Sequence, residues 1–337
     1  MIRTASSYRA PPTTRRRWIK AGAAAAAACF LPAVEAASVA SRIIDAHTHF
    51  YDPTRPQGVP WPPWDSKALY RKVMPEEWKA LARPHGIRET VVVEASPWLE
   101  DNQWVLDLSA GDKGIVAFCG NLDPNDPRFP AHLKRFAANQ TFRGVRWRSD
   151  LVRIDENPDA VRAAAALLAD YGLQLDWNGP PALLPHLAKL AADVPDLRIV
   201  IDHGGGCGDP RNPVPGWKEA LRLAASRDNV FVKVSGLVEQ APGPEGRAPR
   251  DTGYYLPVLD HLWECFGEDR LVYGSNWPVS DRGAPYDVVL KIVSDYFRDK
   301  GPAAAEKYFW RNALSAYRLK DRPSTLHKER PQSWTLV

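Results

Sequence analysis

Apolar positions in this 337-residue chain follow two rhythms. Short runs rich in Val, Ile and Phe recur at 42–49, 90–95, 114–120, 142–148, 172–177, 198–203, 229–235 and 271–277. Continuous apolar runs of this length, punctuated by Gly, Pro and Asp, predict strands buried on both faces. Between them, apolar residues spaced three and four apart predict helices, most clearly over 159–169, 183–192, 217–225 and 255–266. Eight strand-helix repeats predict an α/β chain with a parallel sheet. An open doubly wound sheet would use the same alternation, so polar placement has to separate the two. His49, Glu94, Arg148, Asp176, His203, Ser235 and Asn276 all fall at or near strand carboxyl ends. Barrels gather their chemistry there, which favours a single (β/α)8 TIM-type barrel.

The pattern also divides the chain. Ahead of the first strand, a basic head at Arg15-Arg16-Arg17 precedes a short alanine-rich run over 21–33 and small residues near Ala36 and Ala40. This layout is that of an export signal, and its adjacent arginines resemble the twin-arginine type. The apolar run falls short of the roughly 20 residues that span a bilayer, so no stable membrane anchor is expected after cleavage. Residues 1–40 are therefore expected to be removed, 41–319 to form the barrel, and 320–337 to be a polar, proline-broken tail. A Pro/Trp-rich insertion at 50–65 and a Pro/Gly-rich loop at 239–253 would overhang the barrel mouth.

Charge and cysteines narrow the partners. Removing residues 1–40 takes away six basic residues against one acidic, so the formal charge falls from +4 to −1. A near-neutral chain without Lys/Arg blocks lacks a nucleic-acid footprint. Cys119, Cys207 and Cys265 remain, an odd set without metal-type pairing, and no disulfide framework is expected. The expected partners are a small-molecule substrate, the twin-arginine export machinery and, as an oligomeric option, a second copy of the chain. The expected location is the periplasm.

Candidate chemistry starts on the first strand. Residues two apart on a strand face the same side, so His47 and His49 point together. His203 ends the sixth run, where Gly204-Gly205-Gly206 allows a sharp turn. Imidazoles suit zinc and similar divalent ions, and a catalytic site needs about three protein ligands with one position open. His47, His49 and His203 are the metal-ligand candidates. Arg146 and Arg148, two apart near the end of the fourth run, could present guanidinium forks to a carboxylate or oxyanion; ion pairing at the rim is the plainer alternative. Trp61, Trp64, Trp98, Trp177 and Trp277 lie on or beside mouth loops, where an indole could stack on a ring or simply pack a lid. Lys233 and Ser235 share a face near the end of the seventh run.

Four segments carry a family resemblance: Ile43-Ile44-Asp45-Ala46-His47-Thr48-His49-Phe50, Phe142-Arg143-Gly144-Val145-Arg146, Pro195 to Gly204 with its Ile201-Asp202-His203 ending, and Tyr273-Gly274-Ser275-Asn276-Trp277-Pro278-Val279. They resemble the amidohydrolase-related branch that includes sugar lactonases and pyrone-dicarboxylate lactonases. The resemblance runs from about residue 42 to 319, and Tyr308 to Ala313 is similar to the family's closing helix. It implies a (β/α)8 barrel that opens cyclic esters or amides, with the HxH of His47 and His49 and a strand-six histidine at His203. It also implies a substrate-facing role for Arg146.

Two departures matter. Superfamily members usually end strand eight with an aspartate that takes the water's proton, whereas this chain has Asn276, and an amide cannot accept a proton near neutral pH. Mononuclear zinc members usually supply a strand-five histidine, and none lies in Gly172-Leu173-Gln174-Leu175-Asp176-Trp177. Some lactonases of this branch work without metal, so a metal-independent mechanism stands beside the zinc one. Asp176 and Glu94 are the candidate replacement bases, or else structural salt bridges. The expected function is water attack on the lactone of a sugar acid or pyrone-type acid. Metal-dependent decarboxylation of an aromatic or muconate-type acid, and a binding protein that has lost the strand-eight aspartate, are the alternatives.

Overall fold

In the computed structural model, which describes residues 39–321, eight parallel strands follow one another in chain order. They are β1 Ile44–Thr48, β2 Glu89–Val93, β3 Ile115–Gly120, β4 Phe142–Arg148, β5 Gln174–Asn178, β6 Arg198–Ile201, β7 Val230–Val234 and β8 Leu271–Tyr273. A parallel bridge between Thr48 and Trp277 brings the first strand to the last. There the His49 N–H donates to the Trp277 carbonyl and the Asn276 N–H to that of His47, each at 2.9 Å. The chain is a single (β/α)8 barrel. Every expected strand run contains a strand, but β6 and β8 stop early. The backbone turns left-handed at His203 (φ 54°) and Asn276 (φ 60°), a conformation that no strand can continue through.

The helices are α1 Pro75–Ala82, α2 Leu99–Gly111, α3 Phe129–Ala137, α4 Pro158–Asp170, α5 Leu184–Asp193, α6 Trp217–Ala225, the single turn α7 Leu237–Gln240, α8 Leu256–Phe266, α9 Tyr286–Asp299, α10 Pro302–Glu306 and α11 Asn312–Ala316. The four clearest predicted helices are α4, α5, α6 and α8. Helix α4 illustrates the local logic. Pro158 opens it with a preset φ, Asp159 complements its N-terminal dipole, and Val161, Ala164, Ala165 and Leu168 form its buried stripe.

Two cores result. Outward-facing strand residues such as Leu175, Trp177, Ile199 and Ile201 pack with Leu184, Leu187 and Leu221 in the layer between sheet and helices. Inward-facing Ile44, Ala46, Val91, Ala117 and Val200 fill the barrel with Trp310, Ala313, Ala316 and Tyr317. The last helix is continuous from α10 through a π-helical turn at Lys307–Arg311 into α11. It closes the barrel from below: Asn312 donates to the Leu271 carbonyl at 2.8 Å, and Arg198 donates to that of Ala316 at 3.1 Å. Beneath the first strand, buried Asp45 accepts from the Ser275 N–H (2.8 Å), the Tyr286 hydroxyl (3.0 Å) and the Trp78 indole (3.2 Å), tying β1 to the β8 end and to α1 and α9.

Cys119, Cys207 and Cys265 are free thiols. Among the described residues no helix is long and apolar enough to cross a membrane. The expected export signal, apart from residues 39 and 40, and the tail beyond residue 321 lie outside the described residues.

Candidate active site

His47 and His49 project from β1 toward the barrel axis, with their Nε2 atoms 3.2 Å apart. His49 Nδ1 lies 2.9 Å from the Val93 carbonyl, an acceptor only, so Nδ1 carries the proton and Nε2 keeps its lone pair. Burial, reinforced by the Arg146 charge, lowers the His49 pKa to about 3. Burial and then Lys233 hold His47 well below its ordinary value, so both imidazoles are neutral at pH 7. His203 follows β6 on its left-handed backbone, and burial brings it down to about 4. Its Nδ1 lies 3.0 Å from Ser235 Oγ, and its Nε2 lies 3.4 Å from Arg146 Nη2. Gly236 makes this position available: a Cβ there would stand 2.8 Å from the His203 ring, and its φ of 65° favours glycine besides.

Below the histidines the barrel holds a ladder of alternating charge. Lys233 Nζ lies 2.6 Å from Asp176, 3.1 Å from Asp202 and 3.2 Å from His47 Nδ1. Arg146 Nε donates to Asp202 at 2.9 Å, and its Nη1 lies 3.5 Å from Glu94. Burial alone would lower Lys233, but the carboxylates of Asp176 and Asp202 outweigh it and hold the ammonium charged. Burial would likewise raise Asp202, yet Lys233, His47 and Arg146 keep it well below the carboxylate range. These buried charges persist because each faces an opposite one.

Above them opens a pocket of about 480 Å³ whose wall includes His49, Trp61, Glu94, Arg146, Arg148, His203, Glu239, Asn276 and Arg282. Asn276 tolerates its left-handed backbone as few residues do, and its Nδ2 donates to Glu239 Oε1 at 2.6 Å. Burial raises the Glu239 pKa to about 7, against the hydrogen bond from Asn276. Three groups here have buried acceptor atoms without a hydrogen-bond partner: both oxygens of Glu94, one of them 3.5 Å from Arg146 Nη1, Oε2 of Glu239 and Oδ1 of Asn276. Such atoms are costly unless something else satisfies them.

The candidates therefore separate. His49, Glu94, Arg146, Arg148, His203 and Asn276 line the pocket, and His47 lies directly beneath. Asp176 does not reach it: the side chain points inward but sits a layer down, ion-paired with Lys233 and within 3.4 Å of the Tyr317 hydroxyl. Trp177 also departs from expectation. In the β4–β5 register it lies beside Trp147 while Arg146 lies beside Asp176, so alternation turns both indoles outward into the helix layer, where Trp177 is wholly buried. Trp277 is buried against Phe50, away from the pocket, and Trp64 and Trp98 are exposed. Of the five tryptophans Trp61 alone lines the pocket, 5.9 Å from the His49 ring.

Two residues were missed by sequence reasoning. Asp202 places its carboxylate with His47 and His203 so that one donor atom from each lies within 4.8 Å of the others. Glu239 sits on the α7 turn inside a Pro/Gly-rich loop; the one signal pointing to it was the amide at 276, which calls for a carboxylate nearby.

The donor set suits a divalent ion. Two imidazole nitrogens on one tetrahedral ion with bonds of about 2.0–2.1 Å stand roughly 3.3 Å apart, close to the His47–His49 separation. The metal-type donors that lie within 4.8 Å of one another are those of His47, Asp202 and His203, a group that does not include His49, and Asp202 and His203 also contact Arg146.

A family model described as Amidohydrolase matches residues 44–319, and the chain belongs to that family. Within it the chain is a hydrolase of the lactonase type. It is 35% identical over 291 residues to an L-fucono-1,5-lactonase of Burkholderia ambifaria, covering 83% of this chain and 97% of the relative. A second L-fucono-1,5-lactonase, from Burkholderia multivorans, is 26% identical over 79% of this chain and 92% of its own. Among solved structures, an amidohydrolase from Burkholderia multivorans with bound zinc superposes with a TM-score of 0.76 at 24% identity, over 83% of this chain and all of that one.

Proposed function

We propose that this chain opens the 1,5-lactone of a hydroxylated sugar acid, a substrate of the L-fuconolactone kind. The observation that carries the reading is the pairing state of the pocket wall. Arg146 already faces Asp202 and Glu94, and Arg148 is tied to Asp150 at 2.5 Å, so neither guanidinium offers an uncompensated charge to a carboxylate. A pyrone dicarboxylate, or an acid awaiting decarboxylation, would need such a charge. Glu94 instead offers two buried acceptor oxygens, which suit the hydroxyl donors of a neutral sugar ring. Trp61 and Val279 give the same pocket an apolar flank for the ring's unsubstituted face. The relative of 35% identity that acts on L-fucono-1,5-lactone supports the same substrate class.

In this reading Arg146 directs N–H groups toward the lactone carbonyl oxygen, and Asn276 holds the water that attacks it. His47, His49 and His203 would hold a divalent ion, zinc by donor type, which when bound supplies Lewis acidity at that carbonyl. The chain's own donors orient and polarise the substrate in either case.

Proton release by purified protein across a panel of sugar-acid and pyrone lactones, with and without chelator and added zinc, tests the proposal. Turnover confined to hydroxylated 1,5-lactones supports it, and loss on chelation with recovery on zinc supports the metal. Turnover of pyrone dicarboxylates alone would sink the substrate assignment.

The basic head and short apolar run of residues 15–33 support export, and we place the protein in the periplasm. Fractionation of cells expressing the full chain checks this, with retention in the cytoplasm counting against it.

A further inference from the structure

We infer that Glu239 is the general base of this active site and that Asn276 holds the attacking water against it, the pair together replacing the aspartate absent from strand eight. The inference rests on the lactonase reading and assigns its missing proton acceptor.

The geometry argues as follows. Asn276 Nδ2 donates to one carboxylate oxygen of Glu239 at 2.6 Å, which ties together two residues of the pocket wall and leaves Glu239 Oε2 and Asn276 Oδ1 as their remaining oxygens. Both of those oxygens are buried and neither has a protein donor. A water admitted between these two hydrogen-bonded side chains would give one hydrogen to each free oxygen. A water bound in that way has its lone pair turned outward, toward a carbonyl held by Arg146 on the same wall. Asn276 cannot take the proton and Glu239 can, so the amide orients and the carboxylate accepts.

The competing carboxylates are placed differently. Asp176 and Asp202 are neutralised by Lys233 and Arg146, and Glu94 lies against Arg146 with no amide partner to seat a water. Around Glu239 the charged and titratable groups are Asp281 and Arg282 on the turn after Pro278, Tyr255 at the head of α8, and His203 and Arg146 across the pocket. Its midpoint near 7 suits a base working at neutral pH.

The step balances. The water oxygen forms a bond to the lactone carbonyl carbon as one O–H bond breaks and its proton passes to Glu239 Oε2. The tetrahedral intermediate then collapses, the ring C–O bond breaks, and the departing alkoxide takes the proton back from Glu239. The product hydroxy acid ionises to solvent, and no further reactant is needed.

The test is steady-state kinetics on a 1,5-sugar lactone for wild type, Glu239→Gln, Asn276→Asp and the double variant, with thermal melts confirming folding. Removing a general base costs about 10²–10⁴ in rate. Glu239→Gln is expected to lose that much kcat with KM little changed, and to lose the rise in kcat/KM centred near pH 7 that wild type shows. The double variant returns a carboxylate to strand eight and is expected to regain at least tenfold over Glu239→Gln. A Glu239→Gln protein that folds and keeps kcat within threefold overturns the inference while leaving the lactonase reading intact. A wild type that turns over no lactone overturns that reading and this inference with it.

Discussion

The floor of the barrel and its mouth are equally rich in buried polar groups but differ in how those groups are answered. On the floor, Asp176 and Asp202 are both ion-paired with Lys233 within 3.1 Å, although Asp202 Oδ1 makes no hydrogen bond, and the Tyr317 hydroxyl lies 3.4 Å from Asp176. At the mouth, Glu94, Glu239 and Asn276 each keep oxygens that make no hydrogen bond within the protein. Both regions are costly to bury, so the difference is one of destination: floor groups are matched within the protein, mouth groups by what enters the pocket. Raw burial or a shifted pKa would not have separated the two. Asp176 is wholly buried and Glu239 part-buried, and burial pushes both carboxylates up, yet only Glu239 faces the pocket.

The contrast can be broken most forcefully from below. Lys233→Met strips the ammonium from two buried carboxylates and should destabilise the fold by about 3–5 kcal/mol in chemical denaturation, the usual cost of orphaning a buried charge. A loss below about 1 kcal/mol would show the ladder to be dispensable. At the mouth, Glu94→Gln should leave the denaturation midpoint unchanged or higher and lower kcat/KM roughly tenfold or more, as expected for losing a charged hydrogen bond to substrate. Equal losses of stability and activity would erase the distinction.

The pH dependence sharpens it further. Glu239 has a folded pKa above its ordinary 4.5, so the stability it contributes is present below that value and lost as pH rises through about 7. Glu239→Gln should therefore melt level with wild type at pH 5 and roughly 4 °C above it at pH 8.5, for a gain of one to two kcal/mol. The smallest effect belongs to the helix layer. Trp177→Phe should cost about 1–3 kcal/mol of stability through lost packing and leave kcat and KM within twofold. A changed KM there would put the indole back at the site.

Much of the fold was legible because β-branched runs such as Thr90-Val91-Val92-Val93 carry their strand assignment with them, and eight of them leave few architectures to choose from. The HxH pair was legible for the same reason, since period two fixes the face that His47 and His49 share. Trp177 was misread through parity: it follows an inward Asp176 by one residue, which turns it to the opposite side. Asp176 was read with the correct face but without its depth, which depends on how far each strand rises through the barrel. Glu239 escaped because the α7 turn has no periodicity and its partner lies 37 residues away, joined to it only when loops from two strands meet.

The helix that stoppers the barrel is encoded after every strand it seals. A nascent chain that has made β1 through β8 has a tube rather than a cup, with Asp176 and Lys233 open to water from beneath. Trp310, Ala313 and Tyr317 supply the packing that keeps water from the ammonium and its carboxylates. Along the chain the pocket's framework therefore comes first and the segment that insulates it last.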